Sequence, residues 1–217
     1  NWKANGAGSA NTDGDINSTV SVNQTAGFSI VKFTGNLSNS TVGHGLGATP
    51  SMIIFKSLAG TTDWRTYNKS VGNGSYLKLN TTSASTSSSN TFNNTSPTST
   101  VFSIGSSDST NPSSDMIAYC FAEKQGFSKF GSYTGNGNAN GPFIYTGFKP
   151  AFVMIKNASI TTNWVMIDNK RPGFNSNNYF LYPNLSDAET TNYGLEILSI
   201  GFKPLTNLSW INETGSN

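Results

Sequence analysis

The chain repeats itself, and the repeat limits what it can fold into more than any other feature. Gly47-Ala48-Thr49-Pro50-Ser51-Met52-Ile53-Ile54-Phe55-Lys56 returns as Gly147-Phe148-Lys149-Pro150-Ala151-Phe152-Val153-Met154-Ile155-Lys156. Phe33-Thr34-Gly35-Asn36 returns as Tyr133-Thr134-Gly135-Asn136, and Thr61-Thr62-Asp63-Trp64 as Thr161-Thr162-Asn163-Trp164. The offset holds at 100 from Phe33 to Asn68. Beyond that the register drifts, with Phe102-Ser103-Ile104-Gly105 matching Leu198-Ser199-Ile200-Gly201 and Thr110-Asn111 matching Thr206-Asn207 at an offset of 96. Two tandem modules are therefore expected, at 18–123 and 124–217, after a stretch at 1–17 read as the tail of a preceding module and a linker. The first copy closes with the apolar run Asp115 to Glu123, and the second reaches Asn217 just where its equivalent should begin. Trp2-Lys3-Ala4 also resembles Phe121-Ala122-Glu123. These matches lead us to expect a second copy without its closing strand, in an excerpt of a longer modular polypeptide.

Within each copy the local signals are those of strands. Pro50–Lys56 and Pro150–Lys156 are short apolar runs opened by a Gly-x-x-Pro turn, which reads as a buried central strand. Proline at the first position forfeits no ladder bond. Trp64–Tyr67 and Trp164–Asp168 follow as hairpin partners. Ser75–Asn80 alternates, setting Tyr76 opposite Leu77 and Leu79, with the leucines on the inner face; Tyr179–Tyr182 is its counterpart. Val101–Ile104, Leu195–Ile200 and Met116–Ala122 complete the set, and no stretch carries a helical period. Thr81–Ser99 is low in complexity and reads as a mobile surface loop. The expected class is all-β, as tandem antiparallel β-sandwich modules of a jelly-roll-like kind. One continuous jelly roll made from both copies fits the length as well.

Only 11% of the residues are charged, and 13 basic residues against 11 acidic ones leave a net charge of +2. Neutral amides and hydroxyls maintain solubility instead, a pattern commoner outside cells. The basic residues are scattered, the densest grouping being pairs such as Lys170-Arg171, so no stripe exists to neutralise phosphates and no nucleic-acid partner is expected. No run of eighteen apolar residues occurs, so no membrane-inserted helix is expected either. With one cysteine and one histidine, nitrogen- or sulfur-based metal binding lacks ligands, and a Ser-His-Asp triad would depend wholly on His44. His44 sits in a Gly-rich turn and reads as a surface residue. Asp13-Gly14-Asp15 lacks the rest of a calcium-loop ligand set. The acids Asp108, Asp187 and Glu189 lie in polar turns without an apolar pocket to raise a pKa. We therefore assign no catalytic residue, no metal and no cofactor.

Aromatic and apolar residues divide by setting. Trp64 and Trp164 recur in register, and with Ile54, Met154 and Cys120 they are expected to form structural core. Trp210, Tyr182 and Tyr193 lie in polar or turn-rich surroundings and are the candidates for a sugar-stacking platform or a protein interface.

Gly43-His44-Gly45-Leu46-Gly47-Ala48-Thr49-Pro50, the run Met52–Lys56 and Trp64 resemble a module of large structural proteins of tailed bacteriophages, especially marine ones. Tyr119-Cys120-Phe121-Ala122-Glu123, Gly147–Lys156 and Asp168-Asn169-Lys170-Arg171 agree with that resemblance, which runs from Thr25 onward. In such proteins the module accompanies lamin-G-like or concanavalin-like sandwich domains, in tail fibres and other virion components. The resemblance implies a virion or extracellular-surface location and transfers no catalytic residue. The expected role is structural, by assembly with further copies, neighbouring modules or other virion proteins, as in a tail fibre or capsid decoration. The alternative is a carbohydrate-binding module attaching to host-surface glycans.

Overall fold

A computed structural model describes residues 2–171 and 177–216, with all side chains in that range except those at 177, 178, 192 and 193. The described chain is all-β with antiparallel sheets, and its one helical element is a single turn. It divides into two compact units, one of Asn1–Lys78 and Thr86–Phe130 and the other of Leu79–Ser85 and Gly131–Asn217. These limits differ from those of the sequence repeat. Residues 79–85 lie inside the first copy by sequence, yet they join unit 2 through Ser85 N–H to the Ala158 carbonyl (2.8 Å) and Thr162 N–H to the Thr82 carbonyl (2.9 Å).

Unit 1 contains β1 (Ser9–Asn11), β2 (Ser18–Asn23), β3 (Phe28–Thr34), β4 (Ser40–Gly43), β5 (Met52–Ser57), β6 (Arg65–Asn68), β7 (Ser75–Lys78), β8 (Thr86–Ser87), β9 (Val101–Ile104) and β10 (Asp115–Phe121). Eight of them form one sheet in the order β1-β2-β3-β10-β5-β6-β7-β8, while β4 and β9 pair as a separate ribbon. The closing strand β10 sits centrally, pairing with β3 from Asp115↔Thr34 to Phe121↔Phe28 and with β5 from Met116↔Ser57 to Phe121↔Met52. Strand alternation sends Met116, Ala118 and Cys120 inward, where all three are fully buried. They join Val31, Phe33, Ile53 and Phe55 of the sheet and Val42, Phe102 and Ile104 of the ribbon in one core. Its centre is aromatic: Phe102 meets Phe55 edge-on at 5.3 Å and Phe33 at 6.0 Å.

Two sequence expectations fail here. Tyr76, not Leu77, joins this core, and the Arg65 guanidinium lies over its ring, 3.9 Å from the centroid. The low-complexity segment is not a mere surface loop: Phe92 is 2% exposed and packs on Phe55 (5.7 Å) and Tyr67 (5.6 Å). Asn93 and Asn94 take left-handed backbone conformations just after it, which turns the chain back toward β9. A single aromatic in a polar stretch carries no periodic signal, so pattern reading misses it.

Unit 2 contains β11 (Ile144–Tyr145), β12 (Phe152–Ile155), β13 (Val165–Asp168), β14 (Asn177–Phe180), β15 (Thr190–Leu198), β16 (Gly201–Pro204) and the helical turn α1 (Ser209–Asn212). Four strands form a sheet ordered β11-β16-β15-β14, and β12 pairs with β13. An isolated bridge, Met166↔Leu181, extends from β13. Val153, Ile155, Val165, Ile167, Phe180, Leu195, Ile197, Phe202 and Ile211 form the core.

The repeat is visible in the pairing itself. Met52↔Asn68 to Phe55↔Arg65 is matched by Phe152↔Asp168 to Ile155↔Val165, 100 residues on at every position. Lys69 N–H to the Ser51 carbonyl (2.9 Å) has its double in Asn169 N–H to the Ala151 carbonyl (3.0 Å). Each unit is also fastened by a pair of asparagines. In unit 1 the Asn111 amide donates to Asn36 Oδ1 (3.1 Å), the Ser38 carbonyl (2.6 Å) and the Gly105 carbonyl (2.8 Å), while its Oδ1 accepts from Asn36 N–H (2.7 Å). In unit 2 the Asn212 amide donates to Asn136 Oδ1 (3.0 Å), the Asn138 carbonyl (2.7 Å) and the Thr206 carbonyl (2.8 Å), and accepts from Asn136 N–H (2.9 Å). Gly35 and Gly135 pass so close to the Pro112 and Glu213 carbonyls that a Cβ at either would collide.

The clamp corrects the drifting part of the alignment. Asn212, not Asn207, is the counterpart of Asn111, and Thr206 stands where Gly105 does. Leu198 ends β15 and Ile200 lies exposed in the following turn, so Leu198–Gly201 is no match for the buried β9. What resembles β9 is β16, which pairs with β11 as β9 pairs with β4. Between the hairpin and this strand unit 2 has the continuous β15 where unit 1 has the irregular segment around Phe92, yet the offset is still 100; it becomes 101 only between β16 and the clamp.

Candidate functional site

The expected core residues separate by strand face. Trp164 (4% exposed) and Cys120 (0%) are buried. Ile54 and Met154 are half-buried and belong to neither core, because Ile53 and Phe55, or Val153 and Ile155, take the inward positions on either side of them. Trp64 is also half-buried and stacks on Tyr119 at 6.4 Å, on the face away from the core. Burial pushes the Cys120 thiol far above its ordinary value, which leaves it without thiolate character.

The expected aromatic platform takes another form. Tyr182 and Trp210 do meet, edge to face at 5.8 Å, but both are half-buried against the core of unit 2 and present no open pair of ring faces. The side chain of Tyr193 lies outside the described residues. Solvent-facing aromatics occur elsewhere in the same unit, at Tyr145 (64% exposed), Phe143 (49%) and Phe152 (45%). Phe143 precedes β11 and Tyr145 ends it. The Phe143 ring lies against Gly201, whose missing Cβ makes the room, and Ile200 (48% exposed) adjoins through the Thr146 N–H to Ile200 carbonyl bond (2.9 Å). Short edge strands carry little pattern, which is why Phe143 and Tyr145 escape sequence reasoning.

The polar groups are engaged in holding turns. Asp15 accepts from Thr41 N–H (2.9 Å) and Thr41 Oγ1 (2.8 Å), bonds that hold its carboxyl below the usual range, so Asp13-Gly14-Asp15 anchors β4. Asp115 pairs with Lys32 (2.8 Å), and Glu123 with Lys69 (2.7 Å) and Lys129 (3.4 Å); Arg171 bridges Asp168 and Glu189. Among the described residues no three His, Cys, Asp or Glu side chains gather as a metal site. The interior gap between Phe55, Phe92 and Phe102 is too small for a water molecule.

His44 departs most from expectation, being fully buried rather than a surface turn residue. Its Nδ1 accepts from Leu46 N–H (3.2 Å) and its Nε2 faces the Thr98 carbonyl (3.3 Å), an arrangement that suits a neutral ring protonated at Nε2. Burial holds its pKa below the ordinary value, against smaller opposing effects of the Thr98 carbonyl and Asp13. The unfolded chain therefore takes up a proton first as the pH falls. The contribution of His44 to stability should be flat above about pH 7 and decline below about pH 6.5, by at most about 1.4 kcal/mol per pH unit. Urea midpoints measured from pH 5 to 8 check this, with His44→Asn expected to flatten the slope. A wild-type slope no steeper than the variant's would count against the neutral buried imidazole.

The feature of unit 2 with most capacity to act is the hairpin β12–β13. In unit 1 the equivalent β5 is paired on both edges, by β10 and β6. Among the described residues β12 pairs with β13 alone. The side chains register the difference, for Met52 is 5% exposed and its counterpart Phe152 is 45% exposed. An edge of this kind offers unpaired N–H and C=O groups beside apolar side chains, which is chemistry for joining another strand.

Fold and surface together define a two-unit antiparallel β protein whose second unit exposes an edge and aromatic side chains. The chain belongs to a family described as a domain of unknown function (DUF7483), whose model matches residues 1–217 and so spans both units. No curated protein matches the chain. No solved structure matches it either.

Proposed function

We propose that the chain is a structural protein that acts by assembly, as part of a virion or surface filament, and that its two units are β-sandwiches. The sandwich reading is supported in unit 1 by the shared core between the eight-stranded sheet and the β4–β9 ribbon. One observation carries the assembly reading: Phe152 stands in solvent at the position where the same fold buries Met52. Phe143, Tyr145, Leu185 and Ile200, all 40% exposed or more, lie in the same unit. Leu37, Leu58 and Phe127 of unit 1 are exposed as well, but Phe143, Tyr145 and Ile200 adjoin one another around Gly201, as the residues of a contact surface do. The phage-module resemblance supplies the setting.

Sedimentation of the chain over a range of concentrations tests this reading. Self-association is expected, weakened by the double substitution Phe143→Ser and Tyr145→Ser. A monomer at every concentration that also fails to join other virion proteins would overturn it.

A carbohydrate-binding role is favoured by one feature, the open Tyr145 ring beside Phe143, and not by Tyr182 and Trp210. Saturable binding of host-surface glycans that is lost in Tyr145→Ala, with no self-association, would transfer the proposal to that role.

A further inference from the structure

We infer that Leu37 is a contact residue, and that it seats on the Phe143, Tyr145 and Ile200 surface of a second copy of the chain. Unit 1 of one copy is thereby joined to unit 2 of the next. The inference rests on the assembly reading and gives it a partner and a polarity.

The two units build the same turn from different residues. Asn36 Oδ1 accepts from Ser38 N–H (2.9 Å), and Asn136 Oδ1 from Asn138 N–H (3.0 Å). Leu37 N–H donates to the Asn111 carbonyl (3.0 Å) as Gly137 N–H donates to the Asn212 carbonyl (2.9 Å). The backbone between these bonds is left-handed in both, with φ at 59° for Leu37 and 63° for Gly137. Glycine suits that region, whereas the Cβ of leucine crowds the carbonyl that follows it. Among the described residues the other non-glycine positions of positive φ are Asn93 and Asn94, and asparagine tolerates them. The turn therefore gives no reason for a leucine. The fold gives none either, since Leu37 is 46% exposed and lies outside the unit 1 core. A bulky apolar side chain held on strained backbone and exposed to solvent has its use outside its own chain.

A second copy offers the matching surface. Phe143, Tyr145 and Ile200 adjoin around Gly201 and are all exposed, so an incoming leucine meets apolar side chains there. The charges agree as well. Residues 35–40 contain no charged side chain, nor do 143–147 or 199–202, so pressing the turn onto this surface buries no unpaired charge. The leucine and the surface are different patches on different units, which makes the contact heterologous. Every copy carries both halves of it. The contact therefore passes from copy to copy and is not used up within one symmetric pair, which is the polarity a filament requires.

The test is sedimentation of the 217-residue chain and two variants over one concentration series, with a mixing step. The wild type is expected to form species larger than a dimer at the upper end. Leu37→Gly should stay monomeric there, with a melting temperature equal to or above that of the wild type because glycine relieves the turn. The Phe143→Ser, Tyr145→Ser double variant should also be monomeric. Mixed in equal amounts, the two variants should form a one-to-one dimer and nothing larger, since one keeps the leucine and the other keeps the surface. That dimer also shows both variants to be folded. A mixture that stays monomeric overturns the inference. A lower melting temperature for Leu37→Gly overturns it too, by showing that the side chain serves its own fold. If Leu37→Gly associates as the wild type does, this contact is lost and assembly stands. A wild type that is monomeric throughout removes the contact between copies, and assembly then depends on joining other virion proteins.

Discussion

Replacing Asn111 with alanine should lower the stability of unit 1 by about 3 kcal/mol or more. The side chain is fully buried and makes four hydrogen bonds, three as donor and one as acceptor. Each bond contributes about 1 kcal/mol net, and truncation also leaves the Gly105 and Ser38 carbonyls without this donor, at about 1–3 kcal/mol for each that stays dry. Asn212→Ala should do the same to unit 2, where Asn212 is 1% exposed. Asn207→Ala is the discriminating control. Sequence matching pairs Asn207 with Asn111, but its side chain is exposed, and its removal should change stability by no more than about 0.5 kcal/mol. Urea unfolding followed separately for the two units decides the matter. Equal losses for Asn207→Ala and Asn212→Ala would show that the clamp is misassigned.

Phe92→Ala should be as damaging, at about 3–5 kcal/mol, the range for emptying a large aromatic site in a core. The ring touches Phe55 and Tyr67 and closes one end of the unit 1 core. Ser89→Ala, three residues away and exposed, should be within about 0.5 kcal/mol of wild type. If 81–99 were a mobile surface loop, both substitutions would be near neutral. Thermal unfolding of the two variants separates these outcomes.

Much of the fold can be read from the residues because strand formation here depends on short apolar runs with alternating faces. The hairpins at 52–68 and 152–168, β9 and β10 fall close to where the runs place them. The face of each strand is harder to read. Ile53, Ile54 and Phe55 are all apolar, so composition cannot tell which of them points inward; the register with β10 and β6 decides. The asparagine clamp was legible only as the repeated Thr-Gly-Asn. Its second member sits in a loop whose spacing changes between copies, and a chance Thr-Asn pair misdirects the alignment. The buried His44 has a similar cause, because a Gly-rich turn suggests the surface while the partners that bury it, Leu46 and Thr98, lie on two different loops. The aromatic face around Tyr145 could not be anticipated, since it depends on the Phe143 ring lying against Gly201, the residue paired with Tyr145.

The clamps also bear on the order in which each unit comes together. Asn36 and Asn111 are 75 residues apart in the chain, and Asn136 and Asn212 are 76 apart. The first pair therefore encloses β4 to β9 and the second β11 to β16 in one long loop, whereas the hairpins β5–β6 and β12–β13 join residues close in sequence. Ends that far apart meet cheaply only after the intervening chain has become compact, so the local hairpins form first and the asparagines engage last. The clamp is then a latch: it slows the first step of unfolding and contributes little to the speed of folding.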